Sequence, residues 1–160
     1  MITYLEGDAT CPVGDGKKFI VHVCNDRGGW GAGFVLALSK RWPEPERAYR
    51  RWFRAQEDPE AGSFGLGSVQ YVPVAEDICV VNMIAQDGYM SRTPLQYSAL
   101  LECLGKVAVR VRAQSGSVHM PRIGCGLAGG KWSLVETLIK RTMTNLSVHV
   151  YDLPGVTFRA

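Results

Sequence analysis

The sequence lacks the cysteine patterns of a disulfide-stabilised or zinc-binding protein. Its five cysteines are an odd number, and no two of them form a Cys-x-x-Cys pair. Neither a disulfide framework nor a structural zinc site is therefore predicted. We expect Cys24 and Cys79, which lie in apolar segments, to pack as small hydrophobic residues.

Targeting signals and long apolar runs are also missing. The chain starts directly in a strand-like segment at Met1, without the features of a signal peptide. No apolar run approaches the ~20 residues that a membrane-spanning helix needs. We therefore expect a cytoplasmic protein in a reducing compartment, with no membrane partner.

The sequence carries no strong charge of either sign. Its 18 basic and 15 acidic residues give a net charge of +3, so a nucleic-acid partner is not required. One basic group lies on a predicted helix, which favours a solvated helix face but is equally compatible with a small anionic ligand. The group consists of Arg47, Arg50, Arg51 and Arg54. The 160 residues and the 46% hydrophobic content predict one domain over residues 1–160.

A glycine-rich loop follows the apolar segment at residues 19–24. Gly28, Gly29, Gly31 and Gly33 fall within six positions, and a helical pattern then begins. Glycines allow backbone N–H groups to turn inward without Cβ clashes, and a helix N-terminus favours an anion. This arrangement is typical of a phosphate-binding loop.

A second loop of the same kind occupies residues 124–130. It follows an extended segment at 118–123 and precedes a helix that begins near Lys131. Parallel strands open on one crevice at their carboxyl ends, so we expect both loops to line it. Two such loops predict an elongated ligand held from two sides.

The alternation of strand and helix patterns predicts an α/β three-layer sandwich with a mixed, mostly parallel sheet. Two strands close in sequence are expected to pair antiparallel, and Pro94 is expected in the first turn of a helix. Loops are expected at 58–67 and 85–93. The predicted strands are 2–6, 19–24, 68–75, 77–84, 117–123 and 147–153, and the predicted helices are 32–42, 46–56, 94–113 and 132–143.

Two common nucleotide-binding motifs are excluded by spacing. The first loop lacks the G-x-G-x-x-G pattern of a dinucleotide fold. In the second loop, Gly130-Lys131 is followed by Trp132 rather than by the Ser or Thr that a P-loop uses for magnesium. A nucleoside triphosphatase is therefore disfavoured.

Three stretches of the sequence resemble the macrodomain family, and the resemblance covers essentially the whole chain. They are Gly7-Asp8-Ala9-Thr10, the stretch from His22-Val23-Cys24-Asn25 to Gly31-Ala32-Gly33, and Met120-Pro121-Arg122-Ile123-Gly124-Cys125-Gly126-Leu127. The last resembles the branch with the terminal ADP-ribose protein glycohydrolase, and the second resembles the yeast ADP-ribose-1″-phosphate phosphatase. The resemblance implies a crevice that binds ADP-ribose or an ADP-ribosylated protein, without a cofactor or a metal.

The resemblance also implies roles for individual residues. Asp8 would accept the adenine amino group, the Ala9 amide would serve the ring nitrogen, and Asn25 would lie beside the distal ribose. Tyr151 would border the adenine, although a tyrosine that closes a sheet edge is an equally good interpretation. The two loops would enclose the diphosphate and the distal ribose through Gly31, Ala32, Gly33, Ile123, Gly124, Cys125, Gly126 and Leu127.

Two departures from that branch concern catalysis. The loop at 85–88 contains no lysine, and Ala128 stands where the glycohydrolase has an aspartate. The polar candidates for holding a water near the distal ribose are Asn25, Gln86 and Asp87, although an Asp-Gly pair is also a common turn. We expect hydrolysis at the distal ribose C1″, with a non-catalytic ADP-ribose-binding module and an ADP-ribose-1″-phosphate phosphatase as alternatives.

The three histidines and Cys125 are interpreted mainly as structural residues. His22 matches a histidine considered catalytic in the phosphatase, but its place between two valines favours a core histidine. His119 and His149 also lie in strands and are expected in the core. Cys125 is interpreted as a small residue in a tight loop rather than as a nucleophile, because the sequence places no base beside it.

Overall fold

The structure is a computed structural model, and it describes residues 1–89 and 94–155. Its strands and helices alternate for most of the chain. In chain order they are β1 (Ile2–Glu6), β2 (Lys18–Asn25), α1 (Phe34–Arg41), α2 (Glu44–Ala55), β3 (Glu57–Asp58), β4 (Gly62–Ser63), β5 (Val69–Ala75), β6 (Ile78–Gln86), α3 (Tyr97–Ala113), β7 (Ser117–Met120), α4 (Trp132–Thr142) and β8 (Val148–Asp152).

Six strands form one sheet in the order β1-β8-β7-β2-β6-β5. Five of them are parallel, and β5 pairs antiparallel with β6 at one edge. The predicted three-layer sandwich with a mixed, mostly parallel sheet is confirmed, as is the antiparallel pair. Parallel pairing places the carboxyl ends of β1, β2, β6, β7 and β8 along one edge of the sheet, where the polar loops emerge.

Alternate residues of β2 show how both faces of the sheet are buried. Phe19 and Val21 pack into the core formed with α3 and α4. Ile20 and Cys24 pack into a second core with α1 and α2. A strand covered on both faces needs a nearly continuous apolar sequence, which residues 19–24 supply. No helix in the described ranges is both long enough and apolar enough to cross a membrane.

The start of α3 differs from the prediction. The helix begins at Tyr97, and Pro94 lies outside it. Leu95 instead forms an antiparallel bridge with Gln86, the Asp87 N–H donates to the Pro94 carbonyl, and the Gln96 N–H donates to the Ala85 carbonyl. The segment after Pro94 therefore extends the pairing of β6. Residues 90–93 of the predicted 85–93 loop lie outside the described residues.

Other boundaries also move, each for a local reason. Pro45 was expected to precede the second helix but lies in its first turn, where a missing N–H costs no helical hydrogen bond. Strand β7 ends at Met120, three residues before the predicted end, because Pro121 cannot donate to a ladder. The short pair β3 and β4 occupies part of the predicted 58–67 loop.

A buried chain of polar side chains ties α2 to the sheet. His22 Nε2 lies 2.6 Å from Asn82 Oδ1, and Asn82 Nδ2 donates to Gln70 Oε1 at 3.0 Å and to the Pro45 carbonyl at 3.2 Å. Gln70 Nε2 donates to the Ala48 carbonyl at 3.0 Å. Because Asn82 Oδ1 is an acceptor, the Nε2 atom of His22 carries a proton.

Two buried histidines have lowered pKa values. Burial lowers the pKa of His22 to about 4, against the opposing effect of its bond to Asn82. Burial, the neighbouring His149 and Lys18 lower the pKa of His119 to about 3. Both rings are core histidines, as the strand pattern predicted.

Because of these two histidines, we expect the folded protein to lose stability on acidification at pH values above those at which most carboxylates titrate. Between pH 6.5 and 4 the unfolded histidines bind protons that the folded ones do not, so stability rises with pH across this window. Each histidine contributes a slope of at most about 1.4 kcal/mol per pH unit. Urea unfolding at several pH values measures this slope, and His119→Gln should reduce it by about half. An unchanged slope in the variant would contradict the assignment.

Candidate functional site

The Asn25 side chain holds the first glycine loop in place. Its Oδ1 accepts hydrogen bonds from the N–H groups of Arg27 and Gly29 at 2.9 and 3.0 Å, and its Nδ2 donates to the Gly29 carbonyl at 3.0 Å. The Tyr49 hydroxyl also lies 3.0 Å from Oδ1 and 2.6 Å from the Asn25 carbonyl. The predicted catalytic amide is thus engaged in positioning the loop.

The N–H groups of the first loop's tip have no protein partner. Within the described ranges, the backbone N–H groups of Gly31, Ala32 and Gly33 donate to no protein acceptor. All three residues are exposed and precede α1 directly. Gly33 has φ 82°, which favours glycine, whereas Gly31 lies outside the left-handed region and has open space around it. The tip therefore offers several donors to an anion.

The second loop is closed on itself by a backbone hydrogen bond. The Gly130 N–H donates to the Gly124 carbonyl at 2.7 Å, and Gly124 has φ 71°. Among the described residues, the N–H groups of Gly124, Gly126 and Leu127 have no protein acceptor. The two loops meet, since a Cβ built on Gly33 would lie 3.7 Å from Leu127 Cδ1.

An ion pair holds the base of the second loop against β8. Arg122 donates to the two carboxylate oxygens of Asp152 at 2.8 and 2.9 Å. The bond to Asp152 is also the main reason that the pKa of Arg122 is raised. The Arg122 guanidinium lies 5.1 Å from the centre of the Tyr4 ring and 5.3 Å from that of Trp132.

Two connected cavities lie between the loops. The first, of about 240 Å³, has both loops in its wall, together with His22 and Gln86. The second, of about 560 Å³, extends past Asn25 toward α2. Both are lined by Val23, Ala32, Val35, Gln86 and Leu127. Six of the residues predicted to contact the ligand line the first cavity: Ala32, Gly33, Ile123, Gly124, Gly126 and Leu127. Gly31 and Asn25 line the second.

Asp8, Ala9 and Tyr151 lie at the other end of the crevice edge, after β1 and within β8. Asp8 is exposed, and its Oδ1 accepts from the N–H and the hydroxyl of Thr10, both at 2.8 Å. Tyr151 is buried and accepts from the Val13 N–H at 3.0 Å. Because β8 is the second strand of the sheet, Tyr151 does not close a sheet edge.

The structure separates the two polar residues predicted after β6. Gln86 pairs with Asn25 across adjacent strands and lines both cavities, and its Nε2 donates to the Gly88 carbonyl at 2.8 Å. The Asp87 carboxylate instead lies 4.0 Å from the Arg27 guanidinium, with 53% of its side chain exposed. Gln86 is therefore placed to contact a ligand, whereas Asp87 faces Arg27 at the surface.

The site provides no activated nucleophile among these groups. Burial raises the pKa of the Cys125 thiol to about 11, against the lowering effect of Arg122, so the thiol stays protonated. His22 faces the first cavity as a neutral ring and is almost fully buried. In the part of the chain that is described, no group of three or more His, Cys, Asp or Glu residues is arranged to hold a metal ion.

Several cavity-lining residues were not among the predicted site residues, and three of them bring large side chains to the second cavity. Trp30, Arg50 and Tyr89 line the second cavity. Arg50 belongs to the basic group for which a solvated helix face was favoured, and helical spacing alone did not show that this arginine faces a cavity. Tyr89 lies over the first loop, since a Cβ on Gly29 would come within 3.3 Å of its ring.

Solved structures resemble this chain over nearly its whole length. A macrodomain protein from Streptomyces coelicolor is 52% identical, covers 95% of this chain and 99% of its own, and superposes with a TM-score of 0.84. A protein of unknown function from Bacteroides thetaiotaomicron is 52% identical, with coverages of 96% and 98% and a TM-score of 0.90. DarTG from Thermosipho africanus, in complex with ADP-ribose, shares the fold at 18% identity, with coverages of 89% and 39% and a TM-score of 0.69.

Curated relatives are more distant. One is chromodomain-helicase-DNA-binding protein 1-like from Mus musculus, which is 29% identical over 162 residues. The match covers 94% of this chain but only 17% of the length of the mouse protein. ADP-ribose 1″-phosphate phosphatase from Meyerozyma guilliermondii is 23% identical over 171 residues, with coverages of 93% and 98%. No family model matches the sequence.

The closed second loop predicts different tolerances at two of its glycines. A Cβ at Gly130 would lie 2.5 Å from the Gly124 carbonyl oxygen and would force the loop to move, whereas a Cβ at Gly126 would meet nothing within 4 Å. We expect Gly130→Ala to lower the free energy of unfolding by about 1–3 kcal/mol. Gly126→Ala should change it by no more than about 0.5 kcal/mol. Urea unfolding of both variants is the measurement, and equal stabilities would show that the loop is not constrained at Gly130.

Proposed function

This chain belongs to the macrodomain family, and we propose that it binds ADP-ribose in the crevice and hydrolyses an ADP-ribosyl bond at the distal ribose C1″. The substrate is an ester on an acidic residue of a protein or a small ADP-ribose derivative. Residues 1–160 act as a single domain. The proposal needs no membrane, nucleic acid, cofactor or metal.

The observation that carries the proposal is the pair of loops with unpaired N–H groups. Six backbone donors, three in each loop, lack protein acceptors among the described residues, and the six residues line the two cavities of the crevice. Such donors share the charge of a diphosphate without a metal ion. The complex of Thermosipho DarTG with ADP-ribose, on the same fold, supports this choice of ligand.

The resemblance to other macrodomains supports a placement for the rest of the nucleotide. With the diphosphate between the loops, the adenosine lies toward β1 and β8, where Asp8 Oδ2 accepts no hydrogen bond from the described residues. That oxygen accepts the adenine amine, and the Ala9 N–H serves the ring. The distal ribose lies toward Asn25 and Gln86, at the entrance of the larger cavity.

Hydrolysis in this site uses water rather than a protein nucleophile. The Cys125 thiol is protonated, and the 85–88 loop has no lysine. Gln86 is the polar side chain best placed to hold the water, and Asn25 positions the loop around C1″. Asp87 faces Arg27 and takes no direct part. Loop N–H groups stabilise the negative charge that develops in the reaction.

Two other activities compete with this one. A phosphatase acting on ADP-ribose-1″-phosphate is supported by the relative from Meyerozyma guilliermondii, which bears that name. A binding module without turnover is supported because the described groups of the site include no activated nucleophile.

A charge placed at the tip of the first loop tests ADP-ribose binding. Gly31→Glu adds a carboxylate next to the proposed diphosphate at a position whose backbone accepts a side chain. At about 4 Å and an effective dielectric of about 20, the repulsion is of order 4 kcal/mol. We expect the affinity for ADP-ribose, measured by calorimetry, to fall by about three orders of magnitude.

The matched control for that change is Gly65→Glu. Gly65 also lies in a loop with open space around its Cα, and it lines neither cavity of the crevice. This control should bind ADP-ribose as tightly as the unchanged protein does. Both variants should have the melting temperature of the unchanged protein. Normal affinity in a folded Gly31→Glu variant would rule out the first loop as a phosphate site.

Product analysis separates hydrolysis from the two alternatives. With a glutamate-linked ADP-ribosyl peptide we expect release of free ADP-ribose, at the same rate in EDTA as in magnesium. Release of phosphate from ADP-ribose-1″-phosphate, with the peptide left intact, would favour the phosphatase. Tight binding with no product from either substrate would favour the binding module.

A further inference from the structure

Arg50 brings a positive charge to the larger cavity. It lies in α2, and its side chain lines this cavity together with Asn25, Trp30 and Gln86. Among the described lining residues, Arg50 is the only Lys, Arg, Asp or Glu. Among the described residues, the cavity wall therefore carries a single formal charge, which is positive.

A chain of hydrogen bonds fixes the Arg50 guanidinium. Nε donates to Glu46 Oε2 at 2.8 Å, and Nη1 donates to the Gly28 carbonyl at 3.0 Å. Glu46 in turn accepts from Ser39 Oγ at 3.1 Å, and Ser39 accepts from Trp30 Nε1 at 2.8 Å. The guanidinium is thus held through Nε and Nη1 and tied to the first loop, and no bond from Nη2 to a protein acceptor is present within the described chain.

Partial exposure allows the guanidinium to meet a ligand. The Arg50 side chain is 41% exposed, so a bound anion would not have to displace it from the core. The neighbouring Glu46 lies on the Nε edge and does not line the cavity. Planar guanidinium N–H groups match carboxylate and phosphate oxygens in geometry as well as in charge.

We propose that Arg50 is a specificity-determining residue that binds an anionic group attached to the distal ribose C1″. This inference rests on the proposed function, because the distal ribose must lie at the entrance of the larger cavity. The selected substrates are those whose C1″ substituent is, or leaves as, an anion: carboxylate esters and phosphate monoesters. Substrates that lose a neutral amine or alcohol gain nothing from this contact.

The charge balance of ester cleavage shows what Arg50 contributes. The C1″–O bond to the ester breaks, and its electron pair leaves on the carboxylate oxygen. The oxygen of water forms the new bond to C1″, and one proton of that water passes to solvent. Negative charge grows on the departing carboxylate without a proton to neutralise it, so a fixed cation beside it lowers the barrier.

Paired ligands test the assignment by binding alone. ADP-ribose-1″-phosphate differs from ADP-ribose by the phosphate group at C1″, which adds negative charge at the proposed contact with Arg50. In the unchanged protein we expect the 1″-phosphate to bind at least roughly tenfold more tightly, as a charge-assisted bond implies. In Arg50→Met the two dissociation constants should become equal within about twofold, and Arg50→Lys should keep part of the preference. Arg50→Gln is a second neutral variant that keeps a donor for the Gly28 carbonyl.

The control is Arg54→Met, one turn further along the same helix and exposed. It should retain the full preference, which separates a local contact from the general charge of the helix. Equal binding of both ligands by the unchanged protein, or a preference that persists in both neutral variants, would overturn the role of Arg50 while leaving ADP-ribose binding intact. No binding of either ligand by the unchanged protein would overturn the proposed function and this inference together.

Discussion

The hydrogen bonds of one side-chain amide, that of Asn25, determine the shape of the first loop. Its oxygen accepts from two backbone N–H groups, and its nitrogen donates to the Gly29 carbonyl, so residues 27–29 are folded around it. Buried Tyr49 and the guanidinium of Arg50 add bonds to the same loop from α2. The donors at the tip, the entrance of the larger cavity and the start of α1 all take their positions from this cluster.

The crevice is built for negative charge mainly by backbone groups. The two loops lie after neighbouring parallel strands, and each presents N–H groups that the fold leaves without protein acceptors. Side-chain charge enters at the ends: Arg122 is paired with Asp152 beneath the second loop, and Arg50 lines the larger cavity. Backbone dipoles of this kind fit the elongated anion of the proposed function, and side chains add charge at the two ends of the crevice.

The sequence predicted the fold and the two loops because those features depend on local patterns. An apolar run with glycines after it is visible without knowing what it packs against, as residues 19–33 show. The predicted start of α3 was wrong because a proline suits an extended segment as well as it suits the first turn of a helix. Only the bridge between Leu95 and Gln86 shows that the segment after Pro94 is extended. The place of Arg50 could not be predicted, since helix periodicity separates faces but does not show which face meets a cavity. Asp87 was named beside Gln86 because both are polar, yet neighbours in an extended segment point in opposite directions.

The buried polar chain from His22 through Asn82 and Gln70 to the carbonyls of α2 constrains how this protein can change over evolutionary time. Each side chain in this chain forms a hydrogen bond with the next. Replacing one alone therefore leaves a buried donor or acceptor without a partner. Positions 22, 70 and 82 lie on three adjacent strands and are therefore expected to be inherited as a set, with an apolar alternative reachable only through joint substitution. Substitutions that change ligand specificity are easier on the cavity side of α2, because a single substitution there leaves the hydrogen bonds between α2 and the sheet intact.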